Sequence, residues 1–324
     1  MTLREHDMPR VVITGATGFI GRHLVNFLLE NEYRVRIYSR HEFRNDFSPN
    51  VKRDDWITGE IEDKQALVQA CANADAVVHL ANLSHVGLEG PANQYYSNVK
   101  STQSICQACV DGGTKRLIYL SSALAENPGR SAYAQSKKLA EEIVIEYGAE
   151  NGGAMRTSIL RPFNVYGPGM KGNVVGLIRG IRGRRLPPLP YLNNRVAMVS
   201  VHDVCRAILI LLTSAQKSGK VYTLSDREEY TPVRIETAIY KALRRHPPNW
   251  RAPRTVFFIA SMCAESLNRL RIWKNSLGLR TYRNLTTDST CQCRGLEEDF
   301  GFMPMRSFED DLPSIVSSDI TTSN

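Results

Sequence analysis

The chain has 324 residues, 42% hydrophobic and 23% charged, a composition typical of a globular protein with room for one large domain and a smaller one. Its 41 lysines and arginines against 33 acids give a net charge of +8, which suits anionic small molecules, but no short stretch carries the dense basic run of a nucleic-acid-binding protein. Without a signal-peptide core or an apolar run of spanning length, we expect a cytoplasmic protein with no membrane span.

Short apolar runs alternate with helical patterns along the first 225 residues. The predicted strands are residues 11–13, 35–38, 76–80, 117–120, 158–160 and 221–224. The predicted helices are residues 64–71, 98–110, 133–147, 174–181 and 204–212. Because such alternation builds a parallel sheet covered by helices on both faces, we predict an α/β fold, a Rossmann doubly wound parallel sheet with a smaller, mainly helical substrate-binding lobe.

The pattern changes after the Gly167-Pro168-Gly169 turn, where a helical patch and a proline-rich turn follow. We therefore expect residues 1–168 together with about 195–226 to form the dinucleotide-binding domain. Residues 169–194 together with about 227–324 are expected to form the substrate-binding lobe.

A glycine-rich loop follows the first strand and opens a helix, since residues 14–21 read TGATGFIG. In a dinucleotide-binding loop, Gly15 provides the tight turn, Gly18 lets the backbone approach the pyrophosphate, and Gly21 lets the helix pack closely on the strand. Unpaired N–H groups at the start of the helix then bind the phosphates. The loop predicts NAD or NADP binding through Gly15, Thr17, Gly18, Phe19, Ile20 and Gly21.

Three side chains farther along the chain predict acid–base chemistry. Tyr133 and Lys137 are four residues apart in a predicted helix and so share one face, where the ammonium of Lys137 is expected to stabilise the phenolate and lower the pKa of Tyr133. Ser122 follows a strand, at the edge where parallel sheets bind ligands. Taken singly, these residues also fit an exposed helical pair and a capping serine. Together with the loop they predict a catalytic set, Ser122, Tyr133 and Lys137.

The seven cysteines show no supported metal or redox motif. Cys106 and Cys109 have the spacing of a ligand pair, as do Cys291 and Cys293 approximately, but neither pair has a second pair nearby. We expect free thiols and no metal.

With these features, the sequence resembles the extended short-chain dehydrogenase/reductase family and, within it, the NAD(P)-dependent nucleotide-sugar epimerase/dehydratase group. The resemblance runs over nearly the whole chain. It is carried by the loop, the three catalytic candidates, and residues 59–63, 77–82, 98–99, 160–169, 199–204, 224–226 and 299–302.

The resemblance implies further site residues. The additional cofactor-binding residues it implies are Glu60 and Ile61 beside the adenine, Leu80, Ala81 and Asn82 at the pyrophosphate and ribose, Asn98, and Pro162 beside the nicotinamide. The substrate-binding residues it implies are Ser122, Asn164, Asn173, Arg195 and Arg280. It also points to a homodimer through the helices at 98–110 and 133–147.

The sequence departs from the group's pattern at three points. The span from Ser122 to Tyr133 is short, so the wall that recognises the sugar must differ. Val196 stands where many relatives carry a phosphate-binding arginine. The second strand is followed by Arg40 rather than the acid that grips the adenosine 2′-hydroxyl, which favours NADP over NAD.

The resemblance implies an epimerase acting at C4 of a UDP-hexose or UDP-N-acetylhexosamine through a 4-keto intermediate. An NADPH-dependent 4-ketosugar-nucleotide reductase uses the same groups and is the alternative that Arg40 favours. A non-catalytic nucleotide-sensing protein is the alternative of another class, since fold alone does not fix function.

Overall fold

The computed structural model describes residues 8–44, 47–82, 90–150, 153–184, 186–215, 217–269, 282, 286–290 and 293–321. The chain forms two compact units. The first comprises Met1–Phe163, Val201–Leu224 and Cys293–Met303, and the second comprises Asn164–Ser200, Ser225–Gln292 and Pro304–Asn324.

This division differs from the predicted one, whose boundaries lay at 168 and 195, and it assigns residues 293–303 to the first unit rather than to the substrate-binding lobe. The reason is visible at the edge of the first unit's sheet. Asp299 accepts hydrogen bonds from Lys220 and from the Tyr222 hydroxyl, and the Phe300 ring lies 5.8 Å from the Tyr222 ring.

A seven-stranded parallel sheet forms the centre of the first unit, as the sequence predicts. In chain order the strands are β1 (Arg10–Thr14), β2 (Arg34–Ser39), β3 (Trp56–Thr58), β4 (Ala76–His79), β5 (Arg116–Leu120), β6 (Arg156–Pro162), β7 (Asn164–Tyr166), β8 (Met198–Ser200) and β9 (Lys220–Leu224). The order across the sheet is β3-β2-β1-β4-β5-β6-β9. Strands β7 and β8 pair in the second unit. The sheet confirms the predicted α/β Rossmann fold.

Helices connect these strands. In chain order they are α1 (Phe19–Glu30), α2 (Lys64–Cys71), α3 (Gly90–Asp111), α4 (Ala132–Glu150), α5 (Asn173–Arg182), α6 (Val201–Thr213), α7 (Pro232–Ala242), α8 (Arg254–Arg269), α9 (Gly295–Phe300) and α10 (Phe308–Thr321). Capping side chains explain several starts, since Asp63 accepts the Ala66 amide before α2 and Thr231 accepts the Arg234 amide before α7. In the described part of the chain, no helix combines the length and apolar character needed to cross a membrane.

The core of the first unit positions its ligand-binding edge. Strand β4 is buried at every residue, and its side chains pack with those of neighbouring strands and of α2, α3 and α4. A strand buried on both faces cannot shift its register without exposing apolar surface. The segments that follow β1, β4 and β5 therefore meet along one fixed edge.

The second unit has a separate core with a buried polar centre. Asp226 accepts hydrogen bonds from the hydroxyls of Tyr166, at 2.8 Å, and Tyr230, at 2.7 Å. The Tyr230 hydroxyl in turn accepts the Phe308 amide at 2.8 Å, at the start of α10. These bonds tie β7, the segment before α7, and α10 together.

Candidate active site

The glycine-rich loop has the tight geometry that the sequence predicts. Gly15 has a φ of +73°, and a Cβ added there would lie 2.6 Å from the Ala81 nitrogen. A Cβ at Gly21 would collide with the Gly15 carbonyl and the Ala16 backbone. Larger residues at either position would displace the loop, so the two glycines are required for its shape. The Gly18 amide closes the turn by donating to the Gly15 carbonyl at 3.0 Å.

This loop fits a dinucleotide. Gly18 precedes α1, so the first amides of the helix, at Phe19 and Ile20, have no partner within it and point toward the loop. Such a helix start attracts phosphate through its free N–H groups and its dipole. Thr17 lies in the same turn, where its carbonyl accepts a bond from Arg22 at 3.2 Å.

The segment after β4 is attached to the end of β1. The Thr14 carbonyl accepts the Leu80 amide at 3.1 Å, and the Thr14 hydroxyl accepts the Ala81 amide at 3.3 Å. That hydroxyl also lies 2.6 Å from Nδ1 of His79. Burial, together with the positive charge of Lys137, lowers the pKa of His79 to about 3, so the imidazole is neutral. Leu80 and Ala81 thus stand beside the glycine-rich loop.

Ser122 and Tyr133 meet through their hydroxyls. Ser122 follows β5 and caps a short 3₁₀ turn, where its oxygen accepts the Leu124 amide at 3.3 Å. The Ser122 side chain also interacts with the Tyr133 phenol at the start of α4 and thereby lowers the pKa of that phenol. Ser122 therefore fills the capping role that the sequence allowed, and its hydroxyl proton can still bind a second acceptor. Its catalytic role stays a prediction.

Lys137 is buried one turn farther along α4. Its Nζ donates to the Leu120 carbonyl at 2.6 Å and lies 4.7 Å from the centre of the Tyr119 ring and 5.9 Å from that of Tyr133. Burial lowers the pKa of Lys137 to about 7, an effect that the Glu141 carboxylate partly offsets. The amine therefore lies close to half-protonated at neutral pH.

The expected lowering of the Tyr133 pKa is not found in the protein alone. Burial raises the pKa of Tyr133 to about 12, and the bond from Ser122 only partly opposes this. Lys137 contributes no resolved lowering, because its ammonium is itself disfavoured by burial and its nearest polar contact is the Leu120 carbonyl. The prediction that Lys137 lowers the pKa of Tyr133 is therefore wrong for the protein alone. The two side chains nevertheless lie close together, as predicted.

A buried carboxylate joins the strands and the helix that carry this site. Glu141, fully buried on α4, accepts bonds from the Ser121 hydroxyl at 2.5 Å and from two guanidinium nitrogens of Arg161 at 2.5 and 2.7 Å. These bonds join β5, β6 and α4 immediately beside Ser122 and Lys137. Sequence reasoning missed this residue, although the Ser121-Ser122 pair and the arginine in β6 were visible signals.

Two of the predicted cofactor residues take part in buried hydrogen bonds. Asn82 accepts the Tyr119 hydroxyl at 3.3 Å, while its buried amide nitrogen has no hydrogen-bond partner in the described part of the chain. An amide left in this state suits a bound polar group. Asn98 instead donates to the Ser136 hydroxyl at 3.2 Å and so connects α3 to α4, next to Lys137.

The other predicted cofactor residues lie at the ends of strands. Pro162 is the buried last residue of β6. Arg40 is exposed directly after β2, at the position expected for the acid that binds the adenosine 2′-hydroxyl, and Glu42 follows two residues later. Glu60 is exposed and accepts the Tyr38 hydroxyl through its carbonyl at 2.6 Å, and Ile61 packs against the core.

In the second unit, the predicted substrate-binding residues that the structure describes are exposed. Asn164 is exposed in β7, and its amide donates to the Ala197 carbonyl at 3.0 Å. Asn173 is the exposed first residue of α5. The exposed Arg195 forms an ion pair with Glu229 at 2.6 Å, and Val196 bridges to Tyr230 through its backbone. Arg280 lies outside the described residues.

The cysteine pair in α3 is structural. Cys106 and Cys109 are both buried, and burial raises the pKa of each thiol, to about 12 for Cys106. Protonated thiols in an apolar core pack as small hydrophobic groups.

Comparisons with known proteins agree with this geometry. The model of the NAD dependent epimerase/dehydratase family matches residues 11–225. The chain is 27% identical over 278 residues to a UDP-glucose 4-epimerase of Vibrio cholerae, covering 78% of this chain and 81% of the relative. It is 30% identical over 306 residues to a ceramide reductase of Caulobacter vibrioides, covering 90% of each.

A solved structure, MoeE5 in complex with UDP-glucose and NAD, matches the fold with a TM-score of 0.75 at 21% identity, covering 97% of this chain and 100% of that one. The chain therefore belongs to the NAD dependent epimerase/dehydratase family. It is an NAD(P)-dependent enzyme of the extended short-chain dehydrogenase/reductase type.

Proposed function

We propose that the protein is a 4-epimerase of a UDP-hexose or UDP-N-acetylhexosamine. The single observation that carries the proposal is the contact between the Ser122 and Tyr133 hydroxyls beside the buried Lys137, at the edge that also holds the glycine-rich loop. The similarity to the Vibrio cholerae epimerase supports the choice of reaction.

In this mechanism Tyr133 accepts the proton of the C4 hydroxyl and, after the keto sugar has turned its other face, returns a proton to the C4 oxygen. When substrate is bound, the Ser122 hydroxyl donates a hydrogen bond to the C4 oxygen and so polarises the keto group. Lys137 supplies positive charge beside the phenol when it is protonated. When bound, NAD or NADP supplies a reversible hydride acceptor at the nicotinamide. We infer that Gly15, Gly18, Gly21, Ala81 and Asn82 hold its phosphates and ribose.

A ketone reductase is the second candidate, favoured by one specific observation. Arg40 is exposed where an acid would bind the 2′-hydroxyl of NAD, and it can face the 2′-phosphate of NADP. The ceramide reductase relative lends support to a reductase, and the substrate in that case is a 4-ketosugar nucleotide.

One experiment separates these candidates. The purified protein is incubated with UDP-glucose or UDP-N-acetylglucosamine plus NAD or NADP, and separately with a 4-ketosugar nucleotide plus NADPH. Interconversion of two sugar nucleotides without net loss of cofactor supports the epimerase. Stoichiometric NADPH oxidation supports the reductase, and neither reaction despite bound dinucleotide leaves a nucleotide-sensing protein.

A further inference from the structure

Helix α8 carries an unusual set of exposed apolar side chains. Val256, Phe258, Ile259 and Met262 are between 40% and 58% exposed, and Trp250, just before the helix, is 58% exposed. Thirteen large hydrophobic side chains are exposed in the described part of the chain, and these five fall within thirteen consecutive residues. Scattered exposure of this kind is ordinary, but a contiguous cluster marks an interaction surface.

The cluster lies on the outer side of the helix. Phe257, Ser261 and Ala264 are less than 9% exposed and form the inner stripe, with the spacing of an α-helix. At 100° per residue, Ile259 and Met262 point away from that stripe, and Val256 and Phe258 lie on its two flanks. The helix is thus apolar on both sides, which in a globular protein is typical of a helix with a second partner.

Positive charge is concentrated in the same region. Residues 241–287 contain ten lysines and arginines and a single acid, Glu265, whereas the rest of the chain contains 31 basic and 32 acidic residues. The excess positive charge of the protein therefore resides in this segment, which includes α8. The remaining sequence is close to neutral.

We propose that the outer side of α8 docks on the surface of an anionic lipid bilayer. Its apolar side chains enter the boundary between headgroups and acyl chains, and the exposed Arg254 at the start of the helix contacts the anionic headgroups. Trp250 suits the same boundary, because an indole ring has an apolar body and a polar N–H.

The charge argues for a lipid surface rather than a second copy of the chain. Two copies meeting through α8 bring two strongly basic segments together, and their repulsion opposes the contact. An anionic bilayer offers both an apolar layer for the side chains and negative charge for the basic residues. The proposal rests on α8 and its flanks alone and is independent of the proposed reaction.

Vesicle sedimentation of the full chain tests the proposal. Vesicles of phosphatidylcholine with about 30% phosphatidylglycerol are compared with pure phosphatidylcholine, at low salt and at about 0.5 M salt. We expect the protein to sediment with the anionic vesicles at low salt and to be released by salt. The double variant Ile259→Gln/Met262→Gln should lower the bound-to-free ratio about tenfold. Met305→Gln, which alters a 70% exposed side chain away from α8, should leave it unchanged.

The Arg254→Gln variant tests the electrostatic part separately, with an expected loss of about fivefold in the same ratio. The double variant and Arg254→Gln both replace exposed side chains, so their thermal unfolding temperatures should match that of the wild type. Equal binding by wild type and double variant overturns the proposal, as does equal binding to neutral vesicles or none to anionic ones. It is also overturned if sedimentation velocity without vesicles shows a dimer that the double variant dissociates, because the surface then joins two copies.

Discussion

The first unit buries the groups at its proposed acid–base site, whereas the second unit leaves its predicted substrate-binding residues exposed. Lys137 and Glu141 are buried, and each is fixed by bonds of 2.5 to 2.7 Å. Asn173 and Arg195 are exposed, and the guanidinium of Arg195 contacts an equally exposed carboxylate. Acid–base chemistry needs groups fixed within a fraction of an ångström, while recognition of a flexible substrate is completed on binding. The reaction class is therefore better defined than the substrate.

The largest expected effect comes from removing the phenol. Tyr133→Phe should lower turnover about 1,000-fold, because it removes the hydroxyl proposed to exchange the C4 proton, while dinucleotide affinity changes little. Turnover is measured by sugar-nucleotide chromatography and binding by calorimetry. Tyr147→Phe, on the same helix with its hydroxyl bonded to Gln107, serves as the matched control. Wild-type turnover in Tyr133→Phe would show that the buried Tyr133 of the first unit does not exchange the proton.

The second prediction tests whether the tight packing of the glycine-rich loop is required for dinucleotide binding. Gly15→Ala should weaken dinucleotide binding about 100-fold or more, because the added methyl collides with the segment after β4 in addition to the strain at positive φ. Gly113 has nearly the same φ, +72°, but nothing within 4 Å of an added Cβ. Gly113→Ala should therefore cost only about 1 kcal/mol of stability and leave binding intact. Equal losses in both variants would show that strain alone, not close approach, explains the loop.

The buried amine should make stability depend on pH. The pKa of Lys137 is about 7 in the folded protein against 10.5 for an ordinary lysine, so between these values the unfolded chain binds more protons. The free energy of unfolding should therefore rise with pH above about 7, by up to about 1.4 kcal/mol per pH unit from this group. Lys137→Met should lose that part of the slope in urea titrations at successive pH values.

Lys138→Met is the control for that slope, since its partly exposed side chain pairs with Glu142 on the surface of the same helix. It should keep the wild-type dependence. If Lys137→Met keeps the slope as well, Lys137 is charged in the folded state, and burial does not lower its pKa as described above.

Arg195 tests whether an exposed residue of the second unit binds the substrate. If its guanidinium leaves Glu229 to bind the substrate diphosphate, Arg195→Ala should raise KM about tenfold with kcat almost unchanged, since a phosphate contact made before the reaction contributes uniform binding. Glu229→Ala should leave KM equal or lower, because it frees the arginine. A fall in kcat alone would instead assign Arg195 a part in the chemical step.

The smallest effect concerns cofactor choice. Arg40→Ser should lower the affinity for NADP relative to NAD about tenfold, because it removes the positive charge directly after β2 at the expected 2′-phosphate position. The ratio of dissociation constants, measured by fluorescence, provides the test. An unchanged ratio would mean that the preference is set elsewhere.

The sequence predicts the first unit better than the second for physical reasons. The glycines of the loop and the four-residue spacing of Tyr133 and Lys137 are local patterns with one compatible geometry. The Glu141–Arg161 pair and the Thr14–His79 contact join residues far apart in the chain, so no local pattern reveals them. The raised pKa of Tyr133 depends on burial, which a helical spacing does not encode. The assignment of residues 293–303 to the first unit likewise depends on contacts with β9, which form only once the sheet has assembled.

The most direct test of the central claim follows the hydrogen at C4 of the sugar. UDP-glucose deuterated at C4 is incubated with the protein and its dinucleotide, and the epimeric product is analysed by mass spectrometry and NMR. Transfer to the cofactor and back within one site predicts UDP-galactose that keeps its deuterium at C4, with no product from Tyr133→Phe. Product that has exchanged its deuterium with solvent, or the same yield from Tyr133→Phe, would contradict the account.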